Sequence, residues 1–303
     1  MQTLKIAVTA SSLSPDFRRA TLLARQADFD GLLIDAYGPI LRIPDLSDTG
    51  RREMLRVLAT QNQQLVGLQA DAPPEGFAPG ADVDRMIEGL DGAMQAAKAL
   101  SSPMICLDLG RLPEPAKEIK ATPTITAEQA GLILLPEPIT PIVSQPATHT
   151  PPPDPKFVSQ VDGALAEIGR RADRFGVMLA LRSELSSFLA LSDLLRRVRC
   201  PWFGIDLDPA SAMRDEWPLD EIFSNLGPLI RHVRARDATR GHDRRTKPAA
   251  LGRGDTNWPH LLASLEDTAY TGWVTIDPVD LPDRAAAAIS GLADLRKVRA
   301  SRQ

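Results

Sequence analysis

The stretch Lys5-Ile-Ala-Val-Thr-Ala-Ser-Ser-Leu-Ser-Pro15 decides the architecture. Residues 5–9 form a short β-prone run, and residues 15–27 follow with apolar side chains at helical spacing. An open doubly wound sheet places a glycine-rich phosphate turn between its first strand and first helix. The turn here, Thr9-Ala-Ser-Ser-Leu-Ser-Pro15, contains no glycine. The strand-then-helix unit then recurs along the chain. Strand-like runs are expected at 31–36, 65–70, 103–108, 177–182, 203–208, 230–236 and 273–277. Helical periodicity separates them at 49–62, 83–99, 156–175, 188–198, 218–226 and 258–269, and 283–298 closes the chain. Alternation of this kind means parallel pairing. Eight units in 303 residues predict one α/β domain over residues 1–303, a closed (β/α)8 TIM barrel.

One segment breaks the rhythm. Residues 111–155, after the fourth strand, hold 11 of the 26 prolines and end in Thr148-His-Thr-Pro-Pro-Pro-Asp-Pro155. Such a run forms neither a helix nor a central strand, although Gly131-Leu-Ile-Leu-Leu135 fits a short edge strand. This proline-rich insertion reads either as an active-site loop on the catalytic face or as a segment without a role in chemistry.

Composition narrows the function classes. With 43% hydrophobic and 24% charged residues the chain has an ordinary globular composition. Thirty-five basic against 39 acidic side chains give a net charge of −4, which implies no nucleic-acid or membrane-surface partner. No apolar stretch reaches the roughly 18 residues of a membrane span. Two cysteines, Cys106 and Cys200, are too few for a disulfide framework. With no leader pattern at the N-terminus, a cytoplasmic location is expected. A homo-oligomer is left open. Basic charge rests on 28 Arg and only 7 Lys.

Side chains alternate across a strand, so one inward residue fixes its neighbours two places away. Asp208 facing the lumen brings Asp206 and Gly204, and Asp277 brings Thr275. Arg234 brings His232 and Arg236; Arg182 brings Ala180 and, beyond it, Glu184. Asp108 brings Cys106, and Gln69 brings Gly67 and Asp71. The apolar parity of each strand then faces the helices, and a polar set gathers at the C-terminal mouth, where barrel enzymes keep their sites.

The C-terminal third resembles the xylose-isomerase-like TIM barrels, the group of sugar isomerases, sugar-phosphate epimerases and endonuclease-IV-like proteins. The resemblance rests on Phe203-Gly-Ile-Asp-Leu-Asp-Pro-Ala210, Ile230-Arg-His-Val-Arg-Ala-Arg-Asp-Ala238, Leu251-Gly-Arg-Gly-Asp-Thr-Asn-Trp258 and Tyr270-Thr-Gly-Trp-Val-Thr-Ile-Asp277. It implies a divalent metal at the mouth, held by a Glu ending strand five, an Asp ending strand six, a His on strand seven and a Glu ending strand eight. This chain departs from that pattern. Arg182 stands where the first Glu is expected, Arg234 where the His is expected, and the last Glu is shortened to Asp277; Asp208 keeps the second position, with Ser211 in place of a following His.

Guanidinium cannot deprotonate to coordinate a cation. No cofactor is therefore expected, and the family's Mn, Mg or Zn is expected to be replaced by Arg182 and Arg234 paired with Asp206, Asp208 and Asp277. Arg236 and Asp237 are expected to continue that network. The arginines either close a salt-bridge cluster or keep a fork free for a carboxylate or phosphate. A shifted metal set of Glu184, Asp206, His232 and Asp277 is the competing arrangement.

The expected ligand is a small carbohydrate or anion, and the expected activity is that of a sugar-phosphate isomerase or epimerase. Asp208 or Asp277 would abstract the proton next to a carbonyl, and Arg182 and Arg234 would stabilise the enediolate. Asp108, Asp206, His232, Arg236 and Gln69 are the expected substrate contacts. The alternative is a barrel that has lost catalysis and serves as a binding or scaffolding module. His149, His242 and His260 read as solvated, as does the polar run Arg240-Gly-His-Asp-Arg-Arg-Thr-Lys247. No Ser/His/Asp or Cys/His set at strand ends points to a nucleophile.

Overall fold

The computed structural model describes residues 4–116, 152–241 and 245–301. Strands β1 (Lys5–Thr9), β2 (Gly31–Asp35), β3 (Gln64–Gln69), β4 (Met104–Asp108), β5 (Met178–Arg182), β6 (Phe203–Leu207) and β7 (Ile230–Ala235) pair in sequence, all parallel. Strands β8 (Asp237–Arg240) and β9 (Thr246–Ala249) form a separate antiparallel ribbon. Strand β10 (Trp273–Ile276) pairs with β7 and β1 and closes an eight-stranded barrel. The helices are α1 (Ala10–Leu13), α2 (Phe17–Gln26), α3 (Asp48–Thr60), α4 (Val83–Ala99), α5 (Pro155–Phe175), α6 (Phe188–Val198), α7 (Pro209–Arg214), α8 (Leu219–Leu226), α9 (Trp258–Asp267) and α10 (Arg284–Ala300). This is the (β/α)8 barrel expected, with each predicted element within two residues of its observed ends. The predicted strand at residues 131–135, with His149 and His242, lies outside the described residues.

Local chemistry starts and stops these elements. Asp16, Ser47, Asp82, Asp154, Ser187, Asn257 and Asp283 each accept a backbone N–H of the helix they precede, which satisfies donors that have no intrahelical partner. Helix α5 ends at Gly176, whose φ of 68° is the left-handed cap conformation that glycine adopts without strain.

The outward parity of the strands carries Ile105, Leu107, Leu179, Leu181, Ile205, Leu207, Val233 and Val274 into one apolar layer beneath the helices. Burying an aliphatic side chain of this size contributes about 1.5–3 kcal/mol. The lower lumen is filled by a second cluster, Ala7, Leu33, Val66, Met104, Cys106, Ala180 and Trp273. Val66 breaks strict alternation, because the β2–β3 register shifts between Leu32 and Leu33 and one extra β3 residue enters the lumen. A similar shift on β6–β7 pairs Asp206 with His232 after Ile205 pairs with Ile230.

Among the described residues, the sequence reading lacks α1, α7, the 3-10 turns Ile43–Asp45 and Gly227–Leu229, and the β8–β9 ribbon. Helices of four and six residues are too short to show a period. The ribbon puts Arg240, Thr246 and Lys247 in strands where the sequence reading had a polar loop, while Arg240 and Lys247 stay exposed as expected; its second strand is the polar, proline-bearing Thr246-Lys-Pro-Ala249.

Candidate functional site

Strand register brings the polar side chains together. Asp108 pairs across the β4–β5 ladder with Arg182, Asp206 with His232, and Arg234 with Thr275. Arg234 is 0% exposed at the centre. Its Nε and Nη2 both donate to Oδ2 of Asp206, at 3.1 and 3.0 Å. Its Nη1 donates to Asp277 Oδ2 at 2.5 Å and to Gln69 Oε1 at 3.1 Å. Arg182, also buried, places Nη1 on Glu184 and 3.0 Å from Asp108, and donates from Nη2 to Asp71 at 3.1 Å. Its Nε is buried without a hydrogen-bond partner, 3.6 Å from Asp206 Oδ2. Arg236 bridges Glu184, Asp208 and Asp280.

These contacts set the charge states. Burial alone would raise the Asp206 carboxyl, but Arg234 and His232 outweigh it and hold the group well below the usual carboxylate range. Asp277, also buried, is lowered chiefly by Arg234. Glu184 is lowered by Arg182 and Arg236 against its burial. Asp108 goes the other way, because burial outweighs Arg182 and the Gly110 N–H. Arg234 rises well above its ordinary value as Asp206 and Asp277 overcome its burial.

Below Arg234 runs a buried chain that the sequence did not reveal. His232 Nδ1 lies 2.6 Å from Asp206 Oδ1, and its Nε2 lies 2.6 Å from Thr275 Oγ1. The order acid–imidazole–hydroxyl is that of a nucleophile set, yet His232 and Thr275 are both wholly buried. It serves here to satisfy polar groups inside the lumen.

The two predicted bases are tied down. Asp208, 2% exposed, caps α7 by accepting Ala210 N at 2.9 Å, and it also accepts Ser211 Oγ at 3.0 Å. Asp277, 6% exposed, accepts Thr9 Oγ1 at 3.2 Å besides Arg234. Asp237, expected to continue the arginine network, turns away from it. It accepts the backbone N–H groups of Ala238, Gly252, Gly254 and Thr256 and the Trp258 indole N–H, all within 3.2 Å. A Cβ on Gly254 would lie 2.2 Å from Asp237 Oδ1, so glycine is required for this approach. The Gly252-Arg-Gly254 turn thus closes on an internal carboxylate, and the amides that would grip a phosphate already have their acceptor.

The family's metal does not fit this donor set. Two of its four ligand positions hold guanidiniums, and the Asp208 oxygens already accept Ala210, Ser211 and Arg236. The shifted set fares no better, because both ring nitrogens of His232 are engaged and Arg234 lies between Asp206 and Asp277. Cys106, Asp206 and His232 do bring one ligand atom each within 4.8 Å of one another. Burial and the Asp206 charge push the Cys106 thiol well up, away from the thiolate a metal requires.

All nine predicted site residues gather in the upper lumen and mouth, joined by Asp71 and Glu184, which parity had also turned inward. Asp35 is the residue that the sequence reading missed. It ends the apolar run Gly31-Leu-Leu-Ile-Asp35 as Asp108 and Asp277 end theirs, and that shared position was the available signal. Among the described residues Asp71, Asp108, Glu184, Asp206, Asp208, Asp277 and Asp280 face Arg182, Arg234 and Arg236, with Arg214 close to Asp208 and Glu184, so the mouth has a carboxylate excess despite its arginines.

No helix is long and apolar enough to cross a membrane, among the described residues. No curated protein matches the chain by sequence. Solved structures do match it over nearly the whole length. A xylose isomerase domain protein from Planctomyces limnophilus superposes with a TM-score of 0.73 at 16% identity, covering 99% of this chain and 97% of its own. D-psicose 3-epimerase with D-tagatose, from Clostridium cellulolyticum H10, gives 0.69 at 16% identity, covering 97% and 99%. A xylose isomerase-like TIM barrel protein from Mycobacterium smegmatis, in complex with magnesium, gives 0.69 at 14% identity, covering 99% and 97%. At these identities the likeness is one of fold. The model of a sequence family described as xylose isomerase-like TIM barrel matches residues 22–297, and this chain therefore belongs to the xylose isomerase-like TIM barrel family.

Proposed function

We propose that this barrel binds a small, neutral, polyhydroxylated ligand on the carboxylate rim of its mouth and does so without a metal ion. The observation that carries the reading is the set of contacts around Arg234, whose Nε, Nη1 and Nη2 are all committed to Asp206, Asp277 and Gln69. A ligand phosphate or carboxylate arriving there would meet no free fork and an excess of negative charge. Sugar hydroxyls, by contrast, donate to carboxylate oxygens, and Asp71, Glu184 and Asp280 remain partly exposed around the plug. The D-psicose 3-epimerase neighbour, determined with D-tagatose, supports the same ligand class. On this reading the ligand is an unphosphorylated member of the small polyhydroxylated or anionic class expected from the sequence.

The second reading, a barrel without catalysis, is favoured by the burial and saturation of Asp208 and Asp277, the two candidate bases. Calorimetric titration with a panel of ketohexoses, pentoses and their phosphates, before and after chelation, separates the cases. Binding of an unphosphorylated sugar that survives chelation, with the phosphates silent, is the expected result. Tighter binding of the phosphates overturns the ligand class. Binding without turnover favours the non-catalytic reading, and silence across the whole panel removes the sugar site.

A further inference from the structure

A cavity of about 70 Å³ lies beside the mouth between α1, the start of α2 and the loop that follows β2. It has room for about four or five heavy atoms. Pro15, Phe17, Pro39, Ile40 and Leu41 make its walls apolar, and Asp35 is its one charged group. Among the described residues Asp35 has no ion-pair partner; burial pushes its carboxyl up and the Ser11 side chain only partly offsets this, so a cation at the carboxylate would relieve the cost of its burial. The charged groups that bear on it are Asp71 and Asp277, both negative, and Arg234, whose donors are committed elsewhere. Ile40, at its rim, is 65% exposed, the most exposed of the large apolar side chains described.

We infer that this cavity is a subsite for a primary ammonium group on a short alkyl stem, with Asp35 as its counter-ion. An anion is rejected by three carboxylates, and a neutral alcohol leaves the charge of Asp35 unanswered. A cation with three to four carbons answers the charge and covers the apolar wall, including Ile40. The sugar reading is not needed for this inference, because the cavity lies outside the arginine plug and shares none of the exposed rim carboxylates.

The test uses the full chain and n-propylammonium chloride, with 1-propanol and potassium chloride as controls at matched ionic strength. Ligand-observed NMR and thermal melting are expected to show saturable binding of the ammonium alone. Asp35→Asn is expected to weaken it at least tenfold while the melt of the free variant stays cooperative. Ile40→Ser, outside the charged cluster, is expected to weaken it several-fold and serves if the Asp35 variant fails to fold. Equal binding of propanol, or full retention of ammonium binding in Asp35→Asn, overturns the assignment, as does absence of any saturable signal. Sugar binding measured on the Ile40→Ser sample keeps the two sites distinguishable.

Discussion

Arg234 and Asp206 meet through two donors on one oxygen: Nε and Nη2 lie 3.1 and 3.0 Å from Oδ2, leaving Oδ1 to His232. This geometry makes Asp206 the hinge of the lumen, since one carboxylate neutralises the central guanidinium and fixes the imidazole below it. A buried pair of this kind is weak evidence for net stability, but breaking it from one side is costly.

Arg234→Met leaves Asp206 and Asp277 buried without their main counter-ion and is expected to lower the unfolding free energy by about 3–5 kcal/mol. Urea denaturation followed by circular dichroism measures it. The triple variant Arg234→Met, Asp206→Asn, Asp277→Asn removes the orphaned charges and is expected to recover part of the loss. No recovery would mean that the arginine acts by shape alone.

Acid should unfold the protein through the same cluster. The folded values of Asp206 and Asp277 lie below the unfolded carboxylate value of about 4, so their contribution is complete above that pH. It is lost as pH falls below about 4 toward the folded values. Asp108, raised by burial, works in the opposite sense and loses stability as pH rises past about 4. A denaturation midpoint that drops steeply below about pH 4, with a shallower drop in the triple variant, is the expected profile.

Asp237→Ala removes the common acceptor of four backbone amides and one indole. Each orphaned donor costs about 1–3 kcal/mol if it stays buried, so local opening is the expected response. Hydrogen exchange should accelerate at Gly252, Gly254 and Thr256 while the amides of β4 and β5 keep their protection. Uniform acceleration across the barrel would instead identify Asp237 as a global support.

Manganese or zinc at millimolar concentration is expected to leave the melting temperature of the natural chain unchanged. Arg182→Glu with Arg234→His replaces both guanidiniums with ligand-type side chains at the positions where the family pattern has them. That variant is expected to show a saturable melting shift with manganese, because binding to the folded state alone stabilises it by mass action. A comparable shift in the natural chain would contradict the arginine-for-metal reading.

Much of this was legible in the residue order. Period-2 and period-3.6 patterns and the glycine-free first turn define eight strand–helix units, because those signals are local and each element carries its own. Parity likewise turned Asp108, Arg182, Asp206, His232, Arg234 and Asp277 inward, since alternation depends only on the strand itself. The register shifts at Val66 and Arg231, and the turning of Asp237 away from its neighbour Arg236, depend on what the adjacent strand and loop present. Pairing was decided only in three dimensions. Sequence could place an arginine at a ligand position, but whether its fork stayed open depended on Gln69, Asp206 and Asp277 converging from three different strands. Closure brings those strands together, and the low dielectric of the packed lumen favours joining every charge to a counter-ion.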